Sequence, residues 1–213
     1  MKPFLKYLQE RSLLAPLMIS AALGAGQAQT PQETTKETQT ETVADHFGGE
    51  HIRKLYGAVM SAEHRGRGIT DPFAFDERLY IRTKDKSGKS SAYGPVQITR
   101  NTARGFLKQN PELFKGNEDY VNKFVEQGSK MLKSKVTDPV YGAGCKGDLC
   151  SEQYNTNYQA MASGIMRGKM KELKLDDTRD LTPEERERFI TSWRGTTRKQ
   201  DPAYFAAIDA AFK

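Results

Sequence analysis

Apolar positions in residues 50–63 fall on one helical face. Ile52, Leu55, Tyr56, Val59 and Met60 sit at offsets of 0, 3, 4, 7 and 8, the spacing of a helix packed on one side. Continuing that stripe reaches Glu63, eleven residues or almost three turns from Ile52, so a carboxyl is aimed toward the core side of the helix end. Gly66 and Gly68 then stop the helix. From Asp76 to Ile98 the character changes: "ERLYIRT" and "SSAYGPVQI", separated by the polar "KDKSGK", predict two short strands joined by a loop. Helical spacing returns with Tyr120, Val121, Phe124, Val125, Met131 and Leu132 behind a capping Asn117. It recurs from about Ser151 to Lys174 through Tyr154, Tyr158, Met161, Ile165, Met166, Met170 and Leu173. Thr182-Pro183-Glu184-Glu185 reads as a capping box with proline at the first helical position, and Asp201-Pro202 opens a last helix over "AYFAAIDAAF". The class this predicts is α+β and mostly helical, with one small β-hairpin inserted after the first helix.

The first 49 residues read differently. Lys2, Lys6 and Arg11 precede an apolar run from Leu13 to about Leu23 that holds Pro16, and small residues follow up to Ala28. This is the layout of a secretory signal peptide, since a spanning helix needs roughly 20 apolar residues. The expectation is export to the periplasm or outside the cell with residues 1–28 removed; a retained segment would act as a membrane anchor. Residues 29–49, rich in Thr, Gln and Glu without a periodic apolar face, predict a flexible linker, and residues 50–213 the folded domain. The linker holds Glu33, Glu37, Glu41 and Asp45 against Lys36, so the positive formal charge of the chain, +6 overall, is concentrated beyond it. A basic domain behind an acidic linker suits an anionic partner such as cell wall, membrane surface or nucleic acid. No nucleic-acid-binding motif accompanies the charge, which argues against specific nucleic-acid binding.

Two cysteines, Cys145 and Cys150 in "GCKGDLC", are spaced to close a small disulfide loop, which suits an exported protein. They fall short of a metal site: there is no second cysteine pair, and His46, His51 and His64 lie far away in sequence. Neither metal nor cofactor is expected.

The chemistry rests on two segments. A glycosidase needs an acid that stays protonated near neutral pH, and burial beside apolar groups raises a carboxyl into that range; Glu63 is positioned for it. In "AYGPVQI", Gly94 lets a ligand approach the backbone, Pro95 fixes a turn, and Gln97 offers a donor and an acceptor to an N-acetyl group or ring hydroxyl. Tyr93 supplies an aromatic face with a polar tip.

In this order these residues resemble the lysozyme-like lytic transglycosylases of the soluble lytic type, over roughly residues 50–212. The family's helix-end glutamate matches Glu63, and its Gly-Leu-Met-Gln-like segment matches Gly94-Pro95-Val96-Gln97. "NYQAMASGIMRGKMKEL" is similar to its third motif through Asn157 and Gly164, and "FITSWRG" sits where its Ala-Tyr-Asn-x-Gly-like segment is expected. The chain departs from the family in three ways. His64 replaces a serine, the gap to the glycine motif is long, and Trp193 and Arg194 replace the tyrosine and asparagine of the fourth motif. Trp193 can stack on a sugar but cannot hydrogen-bond the glutamate as a phenol would.

The resemblance implies a lysozyme-like fold and cleavage of the β-1,4 bond between N-acetylmuramic acid and N-acetylglucosamine in peptidoglycan glycan strands. Glu63 would be the single general acid and base, with Tyr93, Gly94, Gln97 and Trp193 holding substrate. A hydrolytic muramidase is the nearest alternative. In an inverting enzyme its second carboxylate would lie about 6.5–9.5 Å from the first, and Asp71, Asp76, Glu77 and Asp85 are the candidates. A non-catalytic wall-binding or structural protein retaining the fold, in a secretion or virion assembly, is the third reading.

Overall fold

The computed structural model describes residues 46–81, 91–131 and 152–213, all within one compact unit, Thr35–Lys213. The signal segment, nearly all of the linker, Asp85 and the Cys145–Cys150 loop lie outside the described residues. Six α-helices carry the described fold: α1 (Glu50–Glu63), α2 (Arg100–Gln109), α3 (Glu118–Met131), α4 (Glu152–Glu172), α5 (Pro183–Arg194) and α6 (Pro202–Ala210). None of the described helices is long and apolar enough to cross a membrane.

Local chemistry sets the helix ends. The α5 capping box is complete, with Glu185 N donating to Thr182 Oγ1 at 3.3 Å and Thr182 N to Glu185 Oε2 at 2.9 Å. Asp201 caps α6 by accepting from Tyr204 N at 3.1 Å, with Pro202 in the first turn. The sequence pattern assigns no element to Arg100–Gln109. There Thr99 caps a helix through Thr102 N at 3.2 Å, and only Ala103 and Phe106 are buried, too sparse a stripe to stand out in the sequence.

Helix α4 runs through the centre, with Tyr158, Met161, Ala162, Ile165 and Met166 fully enclosed. It contacts α1, α2, α3, α5 and the 3₁₀ turn Pro111–Phe114, so its apolar positions surround the helix instead of forming one stripe. Two of its glycines allow close approach. A Cβ at Gly164 would lie 2.8 Å from Leu113 O, and one at Gly168 would lie 2.5 Å from the Phe106 ring. Helix α1 buries Ile52, Leu55, Tyr56, Val59 and Met60 as the stripe predicts, and it packs chiefly on α6.

The expected hairpin is not shown by the described residues. Among the described residues there is no strand, and the β content is a single antiparallel bridge between Tyr93 and Ile98. Asp76 accepts from Arg78 N at 2.9 Å and winds Glu77–Leu79 into a 3₁₀ turn, which preempts an extended "ERLYIRT". In "SSAYGPVQI" the chain folds back on itself. Gly94 takes φ +80° and Gln97 N donates to Gly94 O at 3.0 Å. Tyr93 and Ile98 then exchange backbone hydrogen bonds of 3.0 and 3.2 Å across the turn. Residues 82–90 lie outside the described residues.

Candidate functional site

Glu63 is the last residue of α1, and its side chain is only 7% exposed. The Tyr204 hydroxyl donates to Glu63 Oε1 at 3.0 Å, and Arg194 Nη1 lies 3.7 Å from Oε2. Tyr204 reaches the carboxyl because Asp201 and Pro202 start α6 three residues earlier, which turns the tyrosine inward at 1% exposure. Arg194 ends α5, where Gly195 at φ +69° takes the left-handed position.

Burial pushes the Glu63 carboxyl above the usual carboxylate range, and Asp201 adds to the shift. Arg194, the Tyr204 hydrogen bond and Arg65 oppose it, in that order of size. The phenol itself is pushed up, chiefly by burial and then by the neighbouring Glu63 charge.

His64 connects the helix end to the glycine-proline turn. It is 4% exposed, and its Nε2–H donates to Pro95 O at 2.8 Å. Its Nδ1 is enclosed without a hydrogen-bond partner among the described residues. Burial, then Arg67, pushes the imidazole down to about 4, against smaller opposing effects from the Pro95 and Gly94 carbonyls and Asp76. His64 therefore holds the 94–97 turn against the end of α1 as a neutral donor.

Gln97 has φ +53°, a left-handed conformation uncommon for a residue with a side chain. Its Nε2 donates to Gly94 O at 2.9 Å and Ile81 O at 3.4 Å. Gln97 and Trp193 line one cleft of about 250 Å³, together with Thr99, Asn101, Thr102 and Phe106. Trp193 is half-buried and stacks on Phe189 at 5.7 Å, with the rings 18° apart. Glu63 is not part of the cleft wall; its connection to the cleft runs through Arg194, the residue after Trp193, and through the 94–97 turn.

No family model, curated protein or solved structure matches this chain.

Two expected roles change. Tyr93 is 1% exposed and packs between Tyr80 and Phe124, with ring centroids 5.8 and 6.2 Å away. It is a core residue and cannot offer a face to a sugar. Gly94 does accommodate a close neighbour, but an internal one: a Cβ there would lie 2.4 Å from the Tyr158 ring. The Tyr158 hydroxyl donates to Tyr93 O at 2.8 Å and accepts from Val96 N at 3.4 Å, so it clamps the turn from beneath.

Of the acids considered as second carboxylates, Asp71 and Asp76 have other partners. Asp71 accepts from Phe73 N at 2.8 Å and Ala74 N at 3.3 Å. Asp76 is engaged by the Arg78 guanidinium, which holds its carboxyl below the usual range, and Glu77 is exposed. Among the described residues no cluster of three His, Cys, Asp or Glu side chains could hold a metal ion.

Sequence reasoning missed Tyr204. The substitution of the family's tyrosine by Trp193 suggests a lost phenol, yet a phenol arrives from the next helix. The available signal was Asp201-Pro202-Ala203-Tyr204, a capped helix start whose third residue faces inward.

Proposed function

We propose that the protein cleaves the β-1,4-glycosidic bond between N-acetylmuramic acid and N-acetylglucosamine in peptidoglycan as a lytic transglycosylase, with Glu63 as general acid and then general base. The observation that carries this reading is the enclosed helix-end carboxyl, held by a phenol and kept above the ordinary carboxylate range by burial.

In the first step protonated Glu63 donates its proton to the glycosidic oxygen as the C1–O bond breaks. The Tyr204 hydroxyl and the Arg194 guanidinium stabilise the carboxylate left behind. In the second step that carboxylate takes the proton of the muramyl C6 hydroxyl while its oxygen closes onto C1. The product carries a 1,6-anhydro end, and Glu63 is protonated again. The substrate's own N-acetyl group can stabilise the charge at C1, so one protein carboxylate suffices. Asp71 and Asp76, already engaged by backbone amides and by Arg78, are poorly suited to activate a water as a second carboxylate, which leaves exposed Glu77 as the described candidate for the hydrolytic route. Gln97 and Trp193, sharing one cleft, are suited to hold a sugar's amide and its apolar face.

The test is mass spectrometry of soluble products after incubation with purified peptidoglycan, for the protein and its Glu63→Gln variant. Anhydro-muropeptides that disappear in the variant support the reading. Reducing-end products that disappear instead would make the enzyme a hydrolytic muramidase. Release that persists unchanged in the variant would refute the site.

A further inference from the structure

Two arginines flank the Glu63–Tyr204 pair, and the acid–base steps use only one of them, Arg194. Arg65 lies two residues beyond Glu63, and Arg194 closes α5. Both guanidinium groups lie over the same Tyr204 ring, at 5.5 and 5.3 Å from its centroid. Their side chains are 41% and 44% exposed, so both can meet a ligand. The nearest acidic oxygens stand off: Asp201 Oδ1 is 3.6 Å from Arg65, and Glu63 Oε2 is 3.7 Å from Arg194.

Other arginines of the domain are engaged more closely. Arg179 grips Glu185 at 2.8 and 2.9 Å, and Arg198 bridges Glu187 and Asp209 at 2.8 Å each. Arg65 and Arg194 make no such hydrogen bond to the described residues, which leaves their planar donor forks available. Asp201 is meanwhile occupied in capping α6. When Glu63 carries its proton, Arg194 has no counter-charge on its acidic neighbour, and the two arginines outweigh Asp201.

We propose that Arg65 and Arg194 form a paired seat for a carboxylate borne by the glycan strand beside the scissile bond, on the muramyl lactyl group or its attached peptide. This rests on the reading of Glu63 as a glycosidase acid and specifies its substrate: acidic, muramic-acid-containing strands rather than neutral N-acetylglucosamine polymers.

The test uses three glycan preparations: peptide-bearing strands, strands stripped of peptide so that lactyl carboxylates are free, and stripped strands with those carboxylates amidated. Binding by sedimentation and cleavage rates are measured for the protein and for Arg65→Gln and Arg65→Lys. The expected result is binding about tenfold weaker, with KM raised to match, on amidated strands, the scale of one charge-assisted pair. Arg65→Gln should show the same weakening on acidic strands and little further loss on amidation, with Arg65→Lys between. Retained affinity on stripped strands assigns the lactyl group; loss on stripping assigns the peptide. Equal binding to all three preparations, or an undiminished preference in Arg65→Gln, overturns the seat. Cleavage with carboxylate-independent binding would remove the seat and leave the enzyme. Carboxylate-dependent binding without cleavage would do the reverse.

Discussion

Removing one oxygen atom tests the electrostatics of the site most directly. Tyr204→Phe deletes the hydroxyl that donates to Glu63 Oε1 at 3.0 Å and leaves the ring that packs in the core. A hydrogen bond to a charged group contributes about 1.5–3 kcal/mol, and one to the neutral acid roughly half as much. The phenol therefore favours the carboxylate over the acid by about 1 kcal/mol. At about 1.4 kcal/mol per pH unit, its loss displaces the Glu63 titration upward by somewhat less than one unit. The proposed first step needs the acid form, so the high-pH limb of kcat/KM, which reports the free enzyme, should move to higher pH by that amount. The plateau should fall by about tenfold as the carboxyl loses its fixed orientation. Initial rates on peptidoglycan across the pH range, with thermal melts to verify folding, provide the assay. A folded variant whose limb stays in place or moves to lower pH would refute this account.

Arg194→Gln removes the largest influence favouring ionised Glu63, so it should raise the same limb, and added salt should shrink the difference because Arg194 is nearly half exposed. Gly94→Ala must hold φ +80° and place a methyl 2.4 Å from the Tyr158 ring; a loss of about 2 kcal/mol or more is expected in chemical denaturation, and an unchanged midpoint would contradict the packing. Tyr158→Phe should lose about 1 kcal/mol, because the Tyr93 carbonyl loses its donor from the Tyr158 hydroxyl. His64→Gln should leave a protein whose stability falls as pH rises from about 4.5, and Glu63→Gln one whose stability rises between about pH 4 and 6.5; slopes of the same sign in both variants would contradict the burial of these groups.

What could be read in advance followed from periodicity. The α1 stripe, the α5 capping box and the proline start of α6 each depend on side chains within a few residues of one another, so the sequence displays them. The roles of Tyr93, Gly94 and Tyr204 depend on chain segments 65, 64 and 141 residues away. Tyr93 and Gly94 resembled ligand-facing residues because an aromatic next to a glycine has the same local signature whether the visitor is a sugar or Tyr158. The hairpin is not shown among the described residues because the turn chemistry of Asp76 and of Gly94-Pro95 acts within β-prone "ERLYIRT" and "SSAYGPVQI". Glu63 was legible because the helical period itself turned a charged residue inward, a placement that folding opposes unless a partner or a purpose accompanies it.

Glu63 and His64 show what accompanies it. They are adjacent, both enclosed, and burial disfavours the charged form of each: it raises the carboxyl above the usual carboxylate range and lowers the imidazole to about 4. An unfolded chain at weakly acidic pH favours a carboxylate and an imidazolium there, whereas folding shifts both groups toward their neutral forms. Folding favours proton uptake at Glu63 and proton release at His64, so the two groups contribute pH slopes of opposite sign. The neutrality also separates the two roles. His64 uses its one donor to secure the turn at Pro95 O, and as a neutral group it imposes no full charge on the neighbouring carboxyl. The positive charge near Glu63 is left to Arg194 and Arg65, both reachable from solvent. A carboxyl that must hold its proton until the substrate arrives, then release it into a stabilising field, is served by this division between an uncharged interior and a cationic rim.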